Sequence, residues 1–476
     1  MSAQDSPDVA AASSGGAAAR TAPAEVEQQP QVVRLLLVAS VTLITLAAFE
    51  ALAVATVMPV VVEDLGGLHL YAVAAGAPLA AQLVATAVSG AWSDARGPRG
   101  SLLAGVLLFC AGLVAAGLAP TMALLAVGRA VQGFGAGLLM VPLYVLVGSM
   151  VPAARQPRFF AAFAAAWVVP GLVGPAIAGT VADAASWRWV FLAVPVLTLA
   201  AFTVLLPLLR HVPPTRRGRP DASARRRTRA VLLAATGTGL AAAALQVAGS
   251  DGGTAGVVLG LAGLAGLAVT VPLLLPAGTL RLRLGVPSAV ACRGLLHAAF
   301  VSAETFLPLL LVRVHDWSAR EAGLVLTVSS LTWAAGSAVQ GRVHGPGRRA
   351  VLLRLGPLLL AAGTFVAAAA ALPGAGTWWA VVGWTVAGGG MGLVFPALSV
   401  LALQATPRAE HGNVSSSLQI SDGLGAALGL ALAGALFTAL VGTGGTGGYL
   451  AGLVLAGSLA LLAVGAGARA AHVQRG

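Results

Sequence analysis

Long uninterrupted apolar runs restrict the fold of this chain more than any other feature. The segment at 35–62, LLLVASVTLITLAAFEALAVATVMPVVV, contains a single charged residue, Glu50. A helix needs about 20 apolar residues to cross a bilayer, and we count about fourteen segments of that length. They are continuous, whereas the strands of a membrane β-barrel are short and alternate in polarity. The sequence therefore predicts an all-α polytopic membrane protein.

The composition agrees with a chain that is surrounded by lipid. Of the 476 residues, 58% are hydrophobic and 9% are charged, whereas about 25% are charged in a soluble protein. All 28 basic residues are arginine, which excludes a Walker phosphate loop and a Schiff base, because both need lysine. Cys110 and Cys292 lie in separate apolar runs, which favours packing over a disulfide or metal site. No HExxH or GxSxG motif occurs. We expect no enzyme activity, no cofactor, no metal and no nucleic-acid partner.

The arginines make every second connection between spans basic. The alternate connections contain acids, among them Glu63, Asp64 and Asp183. Short basic loops stay in the cytoplasm, so we expect an even number of spans in the plasma membrane and both termini in the cytoplasm. The basic connections contain Arg96, Arg99, Arg155, Arg158, the run RHVPPTRRGRPDASARRRTR at 210–229, Arg281, Arg283, Arg342, Arg348, Arg349 and Arg408.

The chain repeats itself at low similarity. GFGAGLLMVPLYVLV at 133–147 and GGGMGLVFPALSVLA at 388–402 are both rich in glycine and carry a proline near the same place. Internal repeats are typical of secondary transporters, which bind substrate at the repeat interface. We expect a disordered cytoplasmic tail at 1–32, an N-terminal six-helix bundle at 33–210, a basic cytoplasmic loop at 211–229, two extra transmembrane helices with a linker at 230–285, a C-terminal six-helix bundle at 286–468 and a cytoplasmic tail at 469–476.

Three glycine-containing motifs lie in the first half. They read GAWSDARGPRG at 90–100, GRAVQGFGAG at 128–137 and PGLVGPAIAG at 170–179. Glycines let helices approach closely and let a loop turn tightly. An arginine inside a span, such as Arg129, is costly unless it is paired or reaches water. Arg129, Gln132, Gly133 and Gly137 fall on one helical stripe.

Over about 33–468, these motifs resemble the major facilitator superfamily, and more narrowly its fourteen-span branch of multidrug:proton antiporters. The resemblance implies two six-helix bundles with two extra central spans. It implies a proton-coupling role for Arg129, with Gln132, Gly133 and Gly137 bordering a cavity. Ala95 and Pro98 depart from the family pattern, which leaves Arg96 and Arg99 to pair with Asp94. The conformational residues that it implies are Gly90, Asp94, Arg96, Gly97, Arg99, Gly171, Gly174, Pro175 and Gly179, the last four forming the motif that distinguishes exporters from importers.

Ionisable residues also lie in later spans. In RGLLHAAFVSAE, a rotation of about 100° per residue places Arg293, His297 and Glu304 on one face. A polar stripe in a span must face a cavity or a partner, so we interpret Arg293 and His297 as cavity residues and Glu304 as a proton-coupling acid. Alternatively, Arg293 reaches the inner surface and His297 only packs. Asp422 is either a further coupling acid or an acid in the first turn of its helix.

Glu50 lies near the middle of the first span. Arg34 is 16 residues before it and Glu63 is 13 residues after it, which correspond to about 24 Å and about 20 Å of helix. An ionised acid there is costly, so we expect Glu50 to face the cavity and to carry a proton part of the time. The alternative is a structural acid paired with Arg129. The resembled branch also has acids at this place, usually aspartate.

The expected function is export of amphiphilic, drug-like small molecules by a proton antiporter. Its partners are then the substrate, protons and the lipid bilayer, and the chain works as a monomer. Another cargo, such as a lipid, siderophore or metabolite, or proton-coupled uptake, is the alternative. Uptake would favour a polar site rich in tyrosine and amides, but the chain has three tyrosines in all.

Overall fold

The computed structural model describes residues 30–151, 159, 162, 163, 165–211, 222–251, 253–343, 345–407, 411–441 and 445–472. In this part of the chain the secondary structure is helical, with fourteen α-helices and no strand. They are α1 (Pro30–Leu65), α2 (Tyr71–Arg96), α3 (Pro98–Gly117), α4 (Met122–Met150), α5 (Val168–Ala184), α6 (Arg188–Leu205), α7 (Ala222–Asp251), α8 (Gly253–Leu274), α9 (Val286–His315), α10 (Ala319–Arg342), α11 (Pro346–Ala368), α12 (Trp378–Gln404), α13 (His411–Val441) and α14 (Gly447–Ala470).

Thirteen of these described helices are long and apolar enough to cross a membrane, and α5 is the shorter exception. Helices α1–α6 form one six-helix bundle, α9–α14 form the second, and α7 and α8 form an extra hairpin. Within the first bundle, α3 and α4 approach so closely that a Cβ on Gly105 would lie only 2.7 Å from the backbone N of Leu139. The missing side chain of glycine permits this approach. The predicted all-α architecture is confirmed.

The two bundles meet mainly along four helix pairs, which are α5 with α10, α2 with α13, α1 with α9 and α1 with α10. We call the end that holds the α2–α3, α8–α9 and α10–α11 connections the basic end, because Arg96, Arg281 and Arg342 lie there. The opposite end, with Asp64 and Asp183, is the acidic end. At the acidic end, α10 starts with a capping box. It joins Ser318, which precedes the helix, to Glu321, the third residue of the helix.

The extra hairpin lies across the seam between the bundles. α7 packs on α2 of the first bundle and on α13 of the second, whereas α8 packs on α7. Three buried alanines meet at this junction: Ala80 of α2, Ala242 of α7 and Ala427 of α13. Most of the α8 surface is exposed, including Val257 and Leu261. The hairpin therefore adds an outer layer without entering either bundle.

The basic run before the hairpin differs from the prediction. α7 begins at Ala222, so 222–229 is helical although a loop was expected over 211–229. Alanine and arginine are strong helix formers, and the ASARRRTR segment therefore extends α7 beyond its apolar part, which starts at Thr228. Of the predicted tail at 1–32, residues 1–29 lie outside the described residues and residues 30–32 belong to α1, which begins at Pro30. The basic residues Arg155, Arg158 and Arg408 also lie outside the described residues.

Candidate functional site

A buried trio of polar side chains joins α1 to α4. The Glu50 carboxylate accepts a hydrogen bond from the Arg129 guanidinium and another, at 2.7 Å, from the Gln132 amide. Arg129 also donates to the Gln132 side-chain oxygen at 2.9 Å. The side chains of Glu50 and Arg129 are only 2% and 7% exposed. The trio is a charge-balanced unit inside the first bundle. Glu50 is thus buried against Arg129, as in the alternative interpretation, and does not face an open cavity.

The helical period explains which neighbours these residues meet. Arg129 and Gln132 are three residues apart on α4, so they face the same helix, α1. Gly133 and Gly137 were expected to border a cavity, but they lie against α2, where a Cβ on Gly137 would come within 2.6 Å of the Gln82 carbonyl oxygen. Only glycine permits this approach. The predicted stripe thus divides into a polar part facing α1 and a glycine part facing α2.

A second ion pair connects α9 to α13 in the other bundle. Arg293 Nε lies 2.8 Å from one Asp422 carboxylate oxygen and 2.9 Å from the other. The same guanidinium donates to the Ser399 hydroxyl of α12 and lies over the Phe395 ring, 4.0 Å from its centroid. His297 Nδ1 is 2.9 Å from the Asp422 backbone oxygen. Both Arg293 and His297 therefore face protein partners.

The position of Asp422 excludes one of its two interpretations. It lies 11 residues after His411, the first residue of α13, so it is not a first-turn acid, and its role in coupling stays a prediction. Glu304 shares the face of Arg293 but lies 11 residues further along α9, about 16 Å away. It is half-buried, and within the described part of the chain its carboxylate has no hydrogen-bond or ion-pair partner.

Two partners of this second pair are outside the sequence-based prediction. Ser399 and Phe395 are four residues apart and so share one face of α12. Their signal is weak, because a serine and an aromatic residue at this spacing are common in apolar helices. Among the described residues, no group of three histidine, cysteine or acidic side chains could hold a metal ion.

The glycine motif of α5 lies where the bundles meet. A Cβ on Gly179 would come within 2.6 Å of the Arg320 Cα in α10. The Pro175 carbonyl oxygen is equally close to α10, since a Cβ on Gly323 of that helix would lie 2.6 Å from it. Gly171 and Gly174 have more room, since their Cβ positions lie 3.3 Å and 3.5 Å from the nearest side chain. The motif thus brings α5 and α10 together mainly at the acidic end.

The loop motif between α2 and α3 is described only in part. Gly97 has φ +83°, a conformation that glycine adopts without strain. A Cβ on Gly90 would meet no described atom within 4 Å, so the motif glycine does not serve close packing in this conformation. Arg96 and Arg99 are exposed. The Asp94 side chain lies outside the described residues, and its role as a latch stays a prediction.

Polar contacts join the two bundles at the acidic end. Each connects an atom of α1, α2 or α5 to an atom of α9 or α10. The three contacts are Tyr71 Oη donating to the Thr305 carbonyl oxygen (2.7 Å), Arg320 N donating to Asp183 Oδ2 (3.2 Å), and the ion pair of Arg313 Nη1 with Glu63 Oε1 (3.9 Å). The bundles are therefore closed against each other at this end.

Sequence comparison identifies relatives over most of the chain. The family model of the Major Facilitator Superfamily matches residues 38–303 and 290–474. The "Multidrug transporter protein MdtP" of Bacillus subtilis is 25% identical over 412 residues, which are 83% of this chain and 74% of that protein. A Mycobacterium tuberculosis protein named "Probable multidrug-efflux transporter" is 27% identical over 398 residues, covering 80% of this chain and 82% of its own length.

Solved structures share the fold at lower identity. A bacterial homologue of the human lysosomal transporter Spinster, in an inward-facing and unoccupied conformation, superposes with a TM-score of 0.66 at 15% identity, covering 94% of this chain and 98% of its own. A peptide transporter, POT, in complex with sulfate gives a TM-score of 0.65 at 17% identity and covers 92% of this chain and 96% of its own. At these identities the likeness extends to the fold alone.

Proposed function

The chain belongs to the Major Facilitator Superfamily, and we propose that it is a proton-coupled exporter of amphiphilic, drug-like small molecules in the plasma membrane. The names of its multidrug-transporter relatives support this cargo class. The positive-inside rule supports a cytoplasmic basic end with both termini on that side. We propose that one chain forms the working unit, because each bundle contains its own ion pair.

One observation carries the coupling proposal, and it is the buried pair of Glu50 with Arg129. An acid and an arginine inside membrane spans are costly to keep, so their presence supports a role in transport. The pair is confined to one bundle, and Glu50 lies on α1, which contacts α9 across the seam. A change of charge at Glu50 can therefore affect how the two bundles pack.

The coupling follows from the cost of an unpaired buried charge. When Glu50 takes up a proton, Arg129 loses its counterion, and an isolated buried cation is strongly unfavourable. The protonated protein then favours a conformation in which Arg129 reaches water or a new partner. Loss of the proton restores the ion pair and the packed state. A proton gradient thus drives the alternation, and the cargo moves in the opposite direction.

We assign supporting roles to the other candidate residues. Asp422 and Glu304 are further proton-coupling acids, and Arg293 and His297 contact the cargo when the bundles separate. The glycines and Pro175 of α5, together with the α2–α3 loop, serve the conformational change. The Arg293–Asp422 pair supports this assignment because it repeats, in the second bundle, the buried acid–arginine chemistry of the first.

The test is transport of a cationic dye by Glu50→Gln in proteoliposomes. We expect the variant to lose dye transport against the dye's own concentration gradient when a pH gradient is imposed as the driving force. Movement of the dye down its concentration gradient should persist. Glu321→Gln is the matched control, since glutamine preserves a capping box at the start of α10. Undiminished uphill transport by Glu50→Gln would place the coupling acid elsewhere. If the wild-type protein moves a hydrophilic metabolite and no amphiphile, the cargo class is wrong.

A further inference from the structure

A crevice opens between α11 and α14 at the basic end, away from the seam between the bundles. It is shallow and open on one side, with enclosed room for about one water molecule, and it is lined by Ala350, Arg354, Ala468, Ala471 and His472. Three of these residues are alanines, so the crevice owes its space to small side chains. Arg354 and His472 supply its polar groups, and both are cationic or can become so.

Arg354 lies on the lipid-facing side of α11. Its helical neighbours Val351, Leu355 and Leu358 are 57%, 39% and 48% exposed, which shows that this side of α11 is turned away from the bundle. Arg354 is eight residues after the first residue of α11, or about 12 Å along the axis. The aliphatic part of the Arg354 side chain therefore lies within the hydrocarbon layer, and its guanidinium extends towards the headgroups.

Some arginines at this end have a protein partner within the described part of the chain, and Arg354 does not. Arg349 donates to the Gln404 side chain at 2.9 Å, and Arg469 donates to the Leu282 carbonyl oxygen at 2.7 Å. Within the described part of the chain, no group accepts a hydrogen bond from Arg354 or from His472. A lipid-facing arginine without a protein partner needs an anion from its surroundings.

We propose that the phosphate of an anionic membrane phospholipid binds at the open side of this crevice. The Arg354 guanidinium holds the phosphate by paired hydrogen bonds, and His472 contacts it from the mouth of the crevice. The acyl chains lie along the exposed stripe of Val351, Leu355 and Leu358. A phospholipid fits better than a free phosphate, because the crevice opens beside this apolar stripe and basic pockets between transmembrane helices bind anionic headgroups.

The experiment measures lipid binding to the purified full-length protein in detergent. Phosphatidylglycerol and phosphatidylcholine are titrated separately, with native mass spectrometry as the readout. We expect the wild-type protein to prefer phosphatidylglycerol and Arg354→Gln to weaken that binding about fivefold, which corresponds to one arginine near a headgroup. Arg348→Gln, an exposed arginine of the same helix outside the crevice, is the control and should change little.

A second variant tests the site independently, in case Arg354→Gln does not fold. Ala350→Phe fills the crevice without changing any charge and should also weaken phosphatidylglycerol binding. Equal affinity of wild type and Ala350→Phe would overturn the site. Displacement of the lipid by millimolar inorganic phosphate would overturn the assignment to a phospholipid. Equal binding of the two lipids would overturn the selection of an anionic headgroup.

Discussion

The Asp183 carboxylate, at the end of α5, accepts a hydrogen bond from the backbone N–H of Arg320 in the first turn of α10, at 3.2 Å. An acid of one bundle thus caps a helix of the other. The first N–H groups of a helix have no partner in their own helix, and the helix dipole favours a negative charge beside them. This contact therefore stabilises closure at the acidic end.

Asp183→Ala should weaken this closure. The loss of a helix cap costs about 1 kcal/mol, which would shift the population towards the state open at the acidic end about fivefold. Spin labels at Ala184→Cys and Leu324→Cys would report the distance between α5 and α10. Asp64→Asn is the control, because Asp64 pairs with Arg188 inside the same bundle. An unchanged distance distribution in Asp183→Ala would show that the cap does not hold the bundles together.

The Glu50–Arg129 pair should behave as one energetic unit. Arg129→Met leaves a buried carboxylate unpaired, which we expect to cost about 3–5 kcal/mol, whereas the double variant Glu50→Gln/Arg129→Met should recover much of that stability. Thermal unfolding of the single and double variants gives the coupling energy. The exposed Asp64–Arg188 pair is the comparison, with an expected coupling of about 0–1 kcal/mol. Additive effects at Glu50 and Arg129 would exclude an energetic coupling between them.

Glu304→Gln should separate stability from transport. Since the Glu304 carboxylate has no partner within the described residues, its neutralisation breaks no ion pair. We expect a melting temperature close to that of the wild type but an altered dependence of dye transport on pH. Glu304→Asp, which keeps the charge, should retain most of the dependence. Transport at wild-type rates over the whole pH range would remove Glu304 from the mechanism.

The proposed topology can be tested by labelling single cysteines in intact cells. In a background without Cys110 and Cys292, Thr215→Cys lies in the basic run and Thr254→Cys lies at the start of α8. We expect an impermeant maleimide to label Thr254→Cys only, and a permeant one to label both. Labelling of Thr215→Cys by the impermeant reagent would show that the protein has the opposite orientation in the membrane.

The helices follow from the sequence because their signal is local. Thirteen of the described helices are long and apolar enough to cross a bilayer on their own, and α9 begins at Val286, where the expected C-terminal bundle starts. The start of α7 was less predictable. Hydropathy marks where a span becomes apolar, at Thr228, but it does not show that the helix continues through the arginines to Ala222.

The pairing of the polar residues depends on contacts that are distant in sequence. Helical spacing correctly groups Arg293 with His297, but nothing local shows that Asp422, 129 residues away, is the partner of Arg293. The same limit applies to Gly133, because spacing places it beside Arg129 and cannot tell which helix it faces. The residues that share one face of a helix can therefore be predicted from that segment alone. The partners that contact this face can be identified only from the packed structure.

The alanine junction at α7 has a consequence for how the protein can move. Ala80 and Ala427 belong to opposite bundles, and they form one buried cluster with Ala242. If the bundles rotate against each other, α7 cannot remain fixed on both. Alanines present a nearly flat surface, so shear at this junction requires little repacking, whereas a larger side chain beside it, Gln246 of α7 against Gly76 of α2, would have to shift. The hairpin would then act as a slip plane that keeps lipid out of the moving seam throughout the transport cycle.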